Sequence, residues 1–155
     1  MGRLTTHVLD TARGCPAAGL NINLFRHVDD KKMVPDHLIS SITNADGRSD
    51  APLLEGEEFI AGRYRLAFAV ADYFRKNGNK LPAVPFLEDV VIDFGINHSG
   101  EHYHVPLLLS PYGYSTYRGC LIRSADAPRY PFSFEWKAPT GKSCECGHDS
   151  YSLVT

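Results

Sequence analysis

Apolar and polar residues alternate along most of the chain between residues 3 and 120. The runs of this two-residue period are short, and turn residues separate them, a spacing typical of an antiparallel sandwich. The predicted strands cover residues 5–10, 21–27, 38–43, 63–69, 90–96, 103–110 and 112–117. The pattern therefore predicts an all-β fold.

One segment follows a helical period instead. Tyr73 and Phe74 lie three and four residues after Val70, and Gly78 follows as a candidate helix C-cap. We therefore predict one short helix over residues 71–77 in an otherwise all-β chain.

The alternation stops near Leu121. Beyond this point Pro, Gly, Ser and charged residues mix without a sustained period. We predict one sandwich domain over residues 1–120 and a C-terminal extension over residues 121–155. The role of the extension is unknown, and we expect it to be flexible or ordered only where its aromatic residues find a surface.

Composition excludes several classes of protein. The chain has 155 residues, of which 43% are apolar and 22% charged, and its net charge is -2. Nucleic acid and anionic membranes attract a broad positive field, so we expect neither as a partner. No run approaches the roughly 18 apolar residues of a membrane span, and the start MGRLTTHVLD lacks a secretory apolar core. With only four cysteines, we expect reduced thiols and a cytoplasmic protein.

Histidines and cysteines raise the question of a metal site. His102 and His104 share one face of a predicted strand, but no third ligand has suitable spacing nearby. Cys144, Cys146 and His148 offer three ligands within five residues, fewer than the four of a usual structural zinc site. We therefore expect neither a metal nor another cofactor. Motifs of serine hydrolases, NTPases and dinucleotide-binding proteins are also absent from the sequence.

Three basic residues stand at unusual places: His7 in a strand, Arg48 after the turn Asn44–Gly47, and His104 at the start of the run VPLLL. Taken singly, each has an ordinary structural explanation. Together they fall in three longer blocks: LTTHVLDTARGCPAAGL, TNADGRSDAPLL and HYHVPLLLSPYGYSTYRG. On these blocks the chain resembles the transthyretin-like family of 5-hydroxyisourate hydrolases over about residues 3–120.

The resemblance implies a fold, an assembly and a site. The fold is a transthyretin-like antiparallel β-sandwich of two sheets with one short helix, assembled as a homotetramer whose central channel holds the sites. The implied catalytic residues are His7, Arg48 and His104. Substrate binding would involve His7, Arg48 and Tyr117, with Ser115 lining the pocket.

The implied reaction is the hydrolysis of 5-hydroxyisourate to 2-oxo-4-hydroxy-4-carboxy-5-ureidoimidazoline in urate (purine) degradation. A base for water and a stabiliser for the oxyanion are both required. A neutral histidine suits the first task, and the guanidinium of Arg48 offers rigid donors for the second. Which of His7 and His104 takes the first proton is left open by the sequence.

Two alternatives and one departure accompany the resemblance. The chain could be a transthyretin-like small-molecule binding protein, although transthyretin carriers have lysine, glutamate and threonine where this chain has His7, Arg48 and His104. It could also be a metal-binding sandwich without activity. The family's usual ending YRGS is replaced here by Cys120 and the extension, which could alter channel access or tetramer packing.

Overall fold

The structure is a computed structural model that describes residues 2–28 and 34–119. Within these ranges the chain forms short strands, one α-helix (α1, Val70–Lys76) and one 3₁₀ turn (Gly56–Glu58). The strands are β1 Arg3–Asp10, β2 Cys15–Pro16, β3 Asn21–His27, β4 Asp36–Ile42, β5 Leu54–Glu55, β6 Gly62–Phe68, β7 Val90–Ile96, β8 His102–Ser110 and β9 Gly113–Thr116.

The strands form two sheets. In the first sheet the order is β2-β1-β8-β9, and β5 also pairs with β1. In the second sheet the order is β4-β3-β6-β7, with every pair antiparallel. The prediction of an all-β sandwich of two sheets with one short helix is confirmed.

One strand pair departs from the antiparallel arrangement. β1 and β8 run parallel, from Arg3 opposite His102 to Asp10 opposite Leu109. A parallel pair requires a long connection, and nearly the whole domain lies between these two strands. Alternation along a strand is the same whichever way its neighbour runs, so the sequence pattern could not reveal this pairing.

The core lies between the two sheets. Alternate residues of β1, β3, β6 and β8 are buried there, and Leu4, Leu24, Leu66 and Leu107 have no exposed surface. Full burial of one such side chain contributes roughly 1.5–3 kcal/mol to the stability of the folded state. Because successive side chains of a strand point to opposite faces, the residues between these buried positions lie on the outer faces of the sheets.

Helix α1 is tied to the end of β1 by a buried carboxylate. The Tyr73 hydroxyl donates to Asp10 Oδ2 at 3.0 Å. Asp10 Oδ1 accepts the backbone N–H groups of Ala12 and Arg13 at 3.0 and 3.1 Å. Burial, with the Asp10 carboxylate second, raises the pKa of Tyr73 to about 12. These bonds hold the C-terminal end of β1 in place relative to the helix.

Predicted and observed element bounds differ by at most two residues. The short elements β2, β5 and the 3₁₀ turn were not predicted, because two or three residues show no period. Tyr112 was placed in a strand but lies in the turn between β8 and β9.

In the described residues, no helix has the length and apolar character needed to cross a membrane. The predicted extension over residues 121–155 falls outside those ranges.

Candidate active site

Two histidines are neighbours on the outer face of the first sheet. The parallel register places Thr5 opposite His104 and His7 opposite Pro106. The interleaved residues of both strands, such as Leu4 and Leu107, occupy the core. His7 and His104 therefore share the outer face as diagonal neighbours, and each is partly buried.

Arg48 is carried next to His7 by a turn. Asn44 closes this turn, since its side-chain oxygen accepts the Arg48 N–H at 3.1 Å and its own N–H donates to the Arg48 carbonyl at 2.8 Å. Gly47 has φ +70° and accepts the Val8 N–H at 2.8 Å. A Cβ at this glycine would collide with the Val8 carbonyl oxygen. The approach leaves Arg48 in an isolated antiparallel bridge with His7.

The electrostatics of this cluster favour neutral imidazoles. Burial is the main cause that lowers the pKa of His7, and the positive charge of Arg48 lowers it further. Burial and Arg48 also lower the pKa of His104, to about 4, with His7 and His102 as further causes. The Asp46 carbonyl and carboxylate partly offset the effect at His7. Since the Arg48 charge acts on both rings, the three predicted catalytic side chains form one electrostatic cluster.

The other two residues predicted for substrate binding, Ser115 and Tyr117, lie on β9 and directly after it. Ser115 lies opposite Leu108, and an isolated bridge joins His104 to Gly119, whose N–H donates to the His104 carbonyl at 2.8 Å. Tyr117 lies between these two positions and is 58% exposed. By strand alternation, Ser115, Tyr117 and Gly119 share the face of His104.

Gly119 lies against the His104 ring. A Cβ at this glycine would come within 2.8 Å of His104 Cδ2 and 3.3 Å of His104 Cγ. Such a contact is shorter than side chains tolerate, so either the ring or the new methyl group would have to move. The glycine of the YRG segment therefore makes room for the histidine.

Two polar residues of the cluster are not among the site residues predicted from the sequence. The Thr5 hydroxyl lies 2.8 Å from His102 Nε2 and 2.9 Å from His104 Nδ1. His102 belongs to the recognisable HYH segment, but a threonine in a strand is ordinary and carries no signal by itself. Only the register of β8 on β1 shows that Thr5 joins the two rings.

The described part of the chain holds no group of three or more His, Cys, Asp or Glu side chains arranged to bind a metal ion. The rings of His102 and His104 lie 6.5 Å apart between centroids, at an edge-to-face angle of 85°. Cys144, Cys146 and His148 lie outside the described residues.

Comparisons with known proteins agree on one family. A family model described as HIUase/Transthyretin family matches residues 4–119. The curated 5-hydroxyisourate hydrolase 2 of Rhizobium meliloti is 60% identical over 119 residues, which cover 76% of this chain and 96% of that protein.

Solved structures show the same relationship. The Klebsiella pneumoniae 5-hydroxyisourate hydrolase is 36% identical with a TM-score of 0.57, over 76% of this chain and 98% of that one. Sea bream transthyretin in complex with thyroxine is 27% identical with a TM-score of 0.67, over 76% of this chain and 95% of that one. Together with the matched sequence and the confirmed sandwich, these results show that the chain belongs to the HIUase/transthyretin family.

Proposed function

We propose that this chain hydrolyses 5-hydroxyisourate to 2-oxo-4-hydroxy-4-carboxy-5-ureidoimidazoline, with His7, Arg48 and His104 as the catalytic residues. The convergence of two partly buried histidines and one guanidinium on one sheet face carries this proposal. The proposed substrate is 5-hydroxyisourate because a relative 60% identical to this chain is named 5-hydroxyisourate hydrolase 2. The reaction belongs to urate degradation.

The chemistry requires one proton to be moved twice. A water oxygen adds to a ring carbonyl carbon while a neutral imidazole takes a proton from that water, and the carbonyl electron pair moves onto oxygen. As this oxyanion collapses, the C–N bond breaks and the departing ring nitrogen receives the proton from the imidazolium. General acid–base catalysis of this kind is typically worth about 10² to 10⁴ in rate.

Arg48 serves the reaction in two ways. Its charge lowers the pKa of both histidines, so their neutral, proton-accepting forms prevail near neutral pH. Its guanidinium also offers several donors in a rigid fork, which suits an anionic ring and the developing oxyanion. Preorganised donors of this type are worth roughly 10² to 10³ in rate.

Ser115 and Tyr117 are proposed to contact the substrate. Ser115 lies on β9, next to β8, and Tyr117 follows the last residue of that strand. Strand alternation places both on the face of His104, and both are exposed in the single chain. Their hydroxyl groups can donate to or accept from the polar edge of a purine-like ring. A ligand held there would lie between this strand and the His7–Arg48 pair.

We also propose that the protein acts as a homotetramer in the cytoplasm. Tyr112, Tyr114 and Tyr117 are 66%, 47% and 58% exposed around β9, an amount of aromatic surface that suits burial between subunits. The free thiol of Cys15 is compatible with a reducing compartment. The partners expected are the substrate and further copies of the same chain.

The decisive assay follows the ultraviolet change as freshly generated 5-hydroxyisourate decays, with and without the full chain. We expect faster decay with the protein and near-background decay with the His7→Ala, Arg48→Ala and His104→Ala variants. Decay at the spontaneous rate with the folded wild-type chain would refute the proposal.

Two further experiments test the alternatives of a metal-dependent mechanism and of a small-molecule carrier. A chelator should leave the rate unchanged, whereas loss of activity that zinc restores would replace proton transfer with a metal-hydroxide mechanism. Binding of thyroxine, the ligand of the sea bream transthyretin structure, by a chain without hydrolase activity would favour a carrier.

A further inference from the structure

The hydroxyl of Thr5 couples two histidine rings. Thr5 Oγ1 lies 2.8 Å from His102 Nε2 and 2.9 Å from His104 Nδ1. A threonine hydroxyl carries a single proton, so it can donate to one of these nitrogens and must accept from the other. The two rings therefore cannot choose their tautomers independently.

Arg3 sets the direction of this chain of hydrogen bonds. Its Nε atom faces His102 Nδ1 at 3.5 Å, and a guanidinium is always a donor. Even at this long distance, a ring N–H pointing at the cation would be repelled. Nδ1 of His102 is therefore the acceptor, and the proton of the neutral ring resides on Nε2.

The direction of these hydrogen bonds also determines the tautomer of His104. His102 Nε2–H donates to Thr5 Oγ1, so the Thr5 proton points to His104 Nδ1. A neutral His104 then carries its proton on Nε2. Burial and Arg3 lower the pKa of His102, and burial is the main cause that lowers the pKa of His104 to about 4. Both rings are neutral near pH 7, as this arrangement requires.

One nearby group is a competing acceptor. The backbone carbonyl of Thr5 lies beside the His104 ring and raises the pKa of that ring. The reversed direction of hydrogen bonding, however, would point a His102 N–H at the Arg3 guanidinium. The balance favours donation from His102 through Thr5 to His104.

We propose that Thr5 and His102 are positioning residues that hold His104 in the Nε2–H tautomer, so that His104 donates a hydrogen bond to the reacting carbonyl oxygen and His7 alone transfers the proton. This division of roles rests on the proposed function. His104 keeps its proton throughout, because a neutral imidazole is too weak an acid to give it up. His7 takes the proton from water and returns it to the departing nitrogen.

The tautomer is measured directly by ¹⁵N NMR of the full chain labelled at histidine, with the His104 signals assigned by their loss in His104→Gln. We expect a pyrrole-type Nε2 and a pyridine-type Nδ1 for His104. A protonated Nδ1 on a neutral His104 ring overturns the inference even if the enzyme is fully active.

Kinetics supply the second readout. Thr5→Val keeps the shape of the side chain but removes the hydroxyl, and we expect kcat to fall by about 10- to 100-fold with a smaller change in KM, as for other supporting partners of catalytic groups. Thr5→Ser restores the hydroxyl and should recover most of the rate. An unchanged kcat in folded Thr5→Val contradicts the positioning role.

Thr6→Val is the matched control. Thr6 is the next residue of the same strand, is buried on the core side, and donates to the Val105 carbonyl at 2.7 Å. Its loss should lower stability but leave kcat and the His104 tautomer unchanged. A wild-type chain that shows the expected tautomer but no hydrolysis would refute the proposed function and leave the tautomer assignment standing.

Discussion

His7 and Arg48 face each other in a single antiparallel bridge at the edge of β1 away from β8. On that edge β5 pairs with the start of β1 and β2 with its end. The turn closed by Asn44 approaches β1 in the interval between them. The guanidinium and the imidazole thus come from segments about 40 residues apart, and a backbone contact holds them together.

The Arg48→Ala variant should lose most activity while remaining folded. Arg48 is exposed, so its removal deletes little packing, whereas loss of its donors should lower kcat/KM by about 10² to 10³. The measurements are kcat/KM and the melting temperature. Arg75→Ala, an exposed arginine of α1, is the control and should leave both nearly unchanged. A strongly lowered melting temperature in Arg48→Ala would instead indicate a structural ion pair.

Stability should fall as the pH drops below about 6.5. In the unfolded chain His104 takes up a proton near its ordinary pKa of 6.5, whereas the folded chain resists protonation until about pH 4. The unfolded state therefore binds more protons in this interval, which lowers the free energy of unfolding as pH falls; above pH 6.5 the effect vanishes.

The urea midpoint, measured across this interval in the wild type and in His104→Gln, checks the pH effect. The variant should show a weaker pH dependence. His98→Gln, at an exposed histidine between β7 and β8, should retain the wild-type slope. Equal slopes in all three proteins would mean that His104 is not the group responsible.

The Gly119→Ala variant should impair catalysis through His104. A Cβ at this position comes within 2.8 Å of the His104 ring, and a catalytic group displaced by about 1 Å can cost roughly 10² in rate. Gly95→Ala, in β7 with open space around the new methyl group, is the matched control. Wild-type kcat in Gly119→Ala would show that the ring adjusts without loss.

Removal of the extension after Cys120 should leave activity and assembly intact. Every residue assigned a role here lies at or before Gly119, and the extension lacks the alternation of the sandwich. Light scattering and the decay assay on the truncated chain are expected to give the tetramer mass and the full-length rate. Dissociation or inactivity would show that residues 121–155 belong to the working structure.

Much of the fold follows from periodicity in the sequence. Side chains of a strand alternate between core and solvent, so the sequence pattern alone predicts the bounds of β3 and β7 to the residue. The resemblance in three long blocks also pointed to His7, Arg48 and His104 as the candidate catalytic residues, which the structure places close together. Both kinds of information are local to short segments, and for that reason a single sequence already carries them.

The relations between those segments required the tertiary structure. Which strand lies beside β1, in which direction and in which register, depends on packing across the whole domain, and alternation is the same for parallel and antiparallel neighbours. The parallel register of β8 on β1 brings Thr5 between His102 and His104. Thr5 has no distinguishing sequence pattern, so its place in the site emerges only when two distant strands meet.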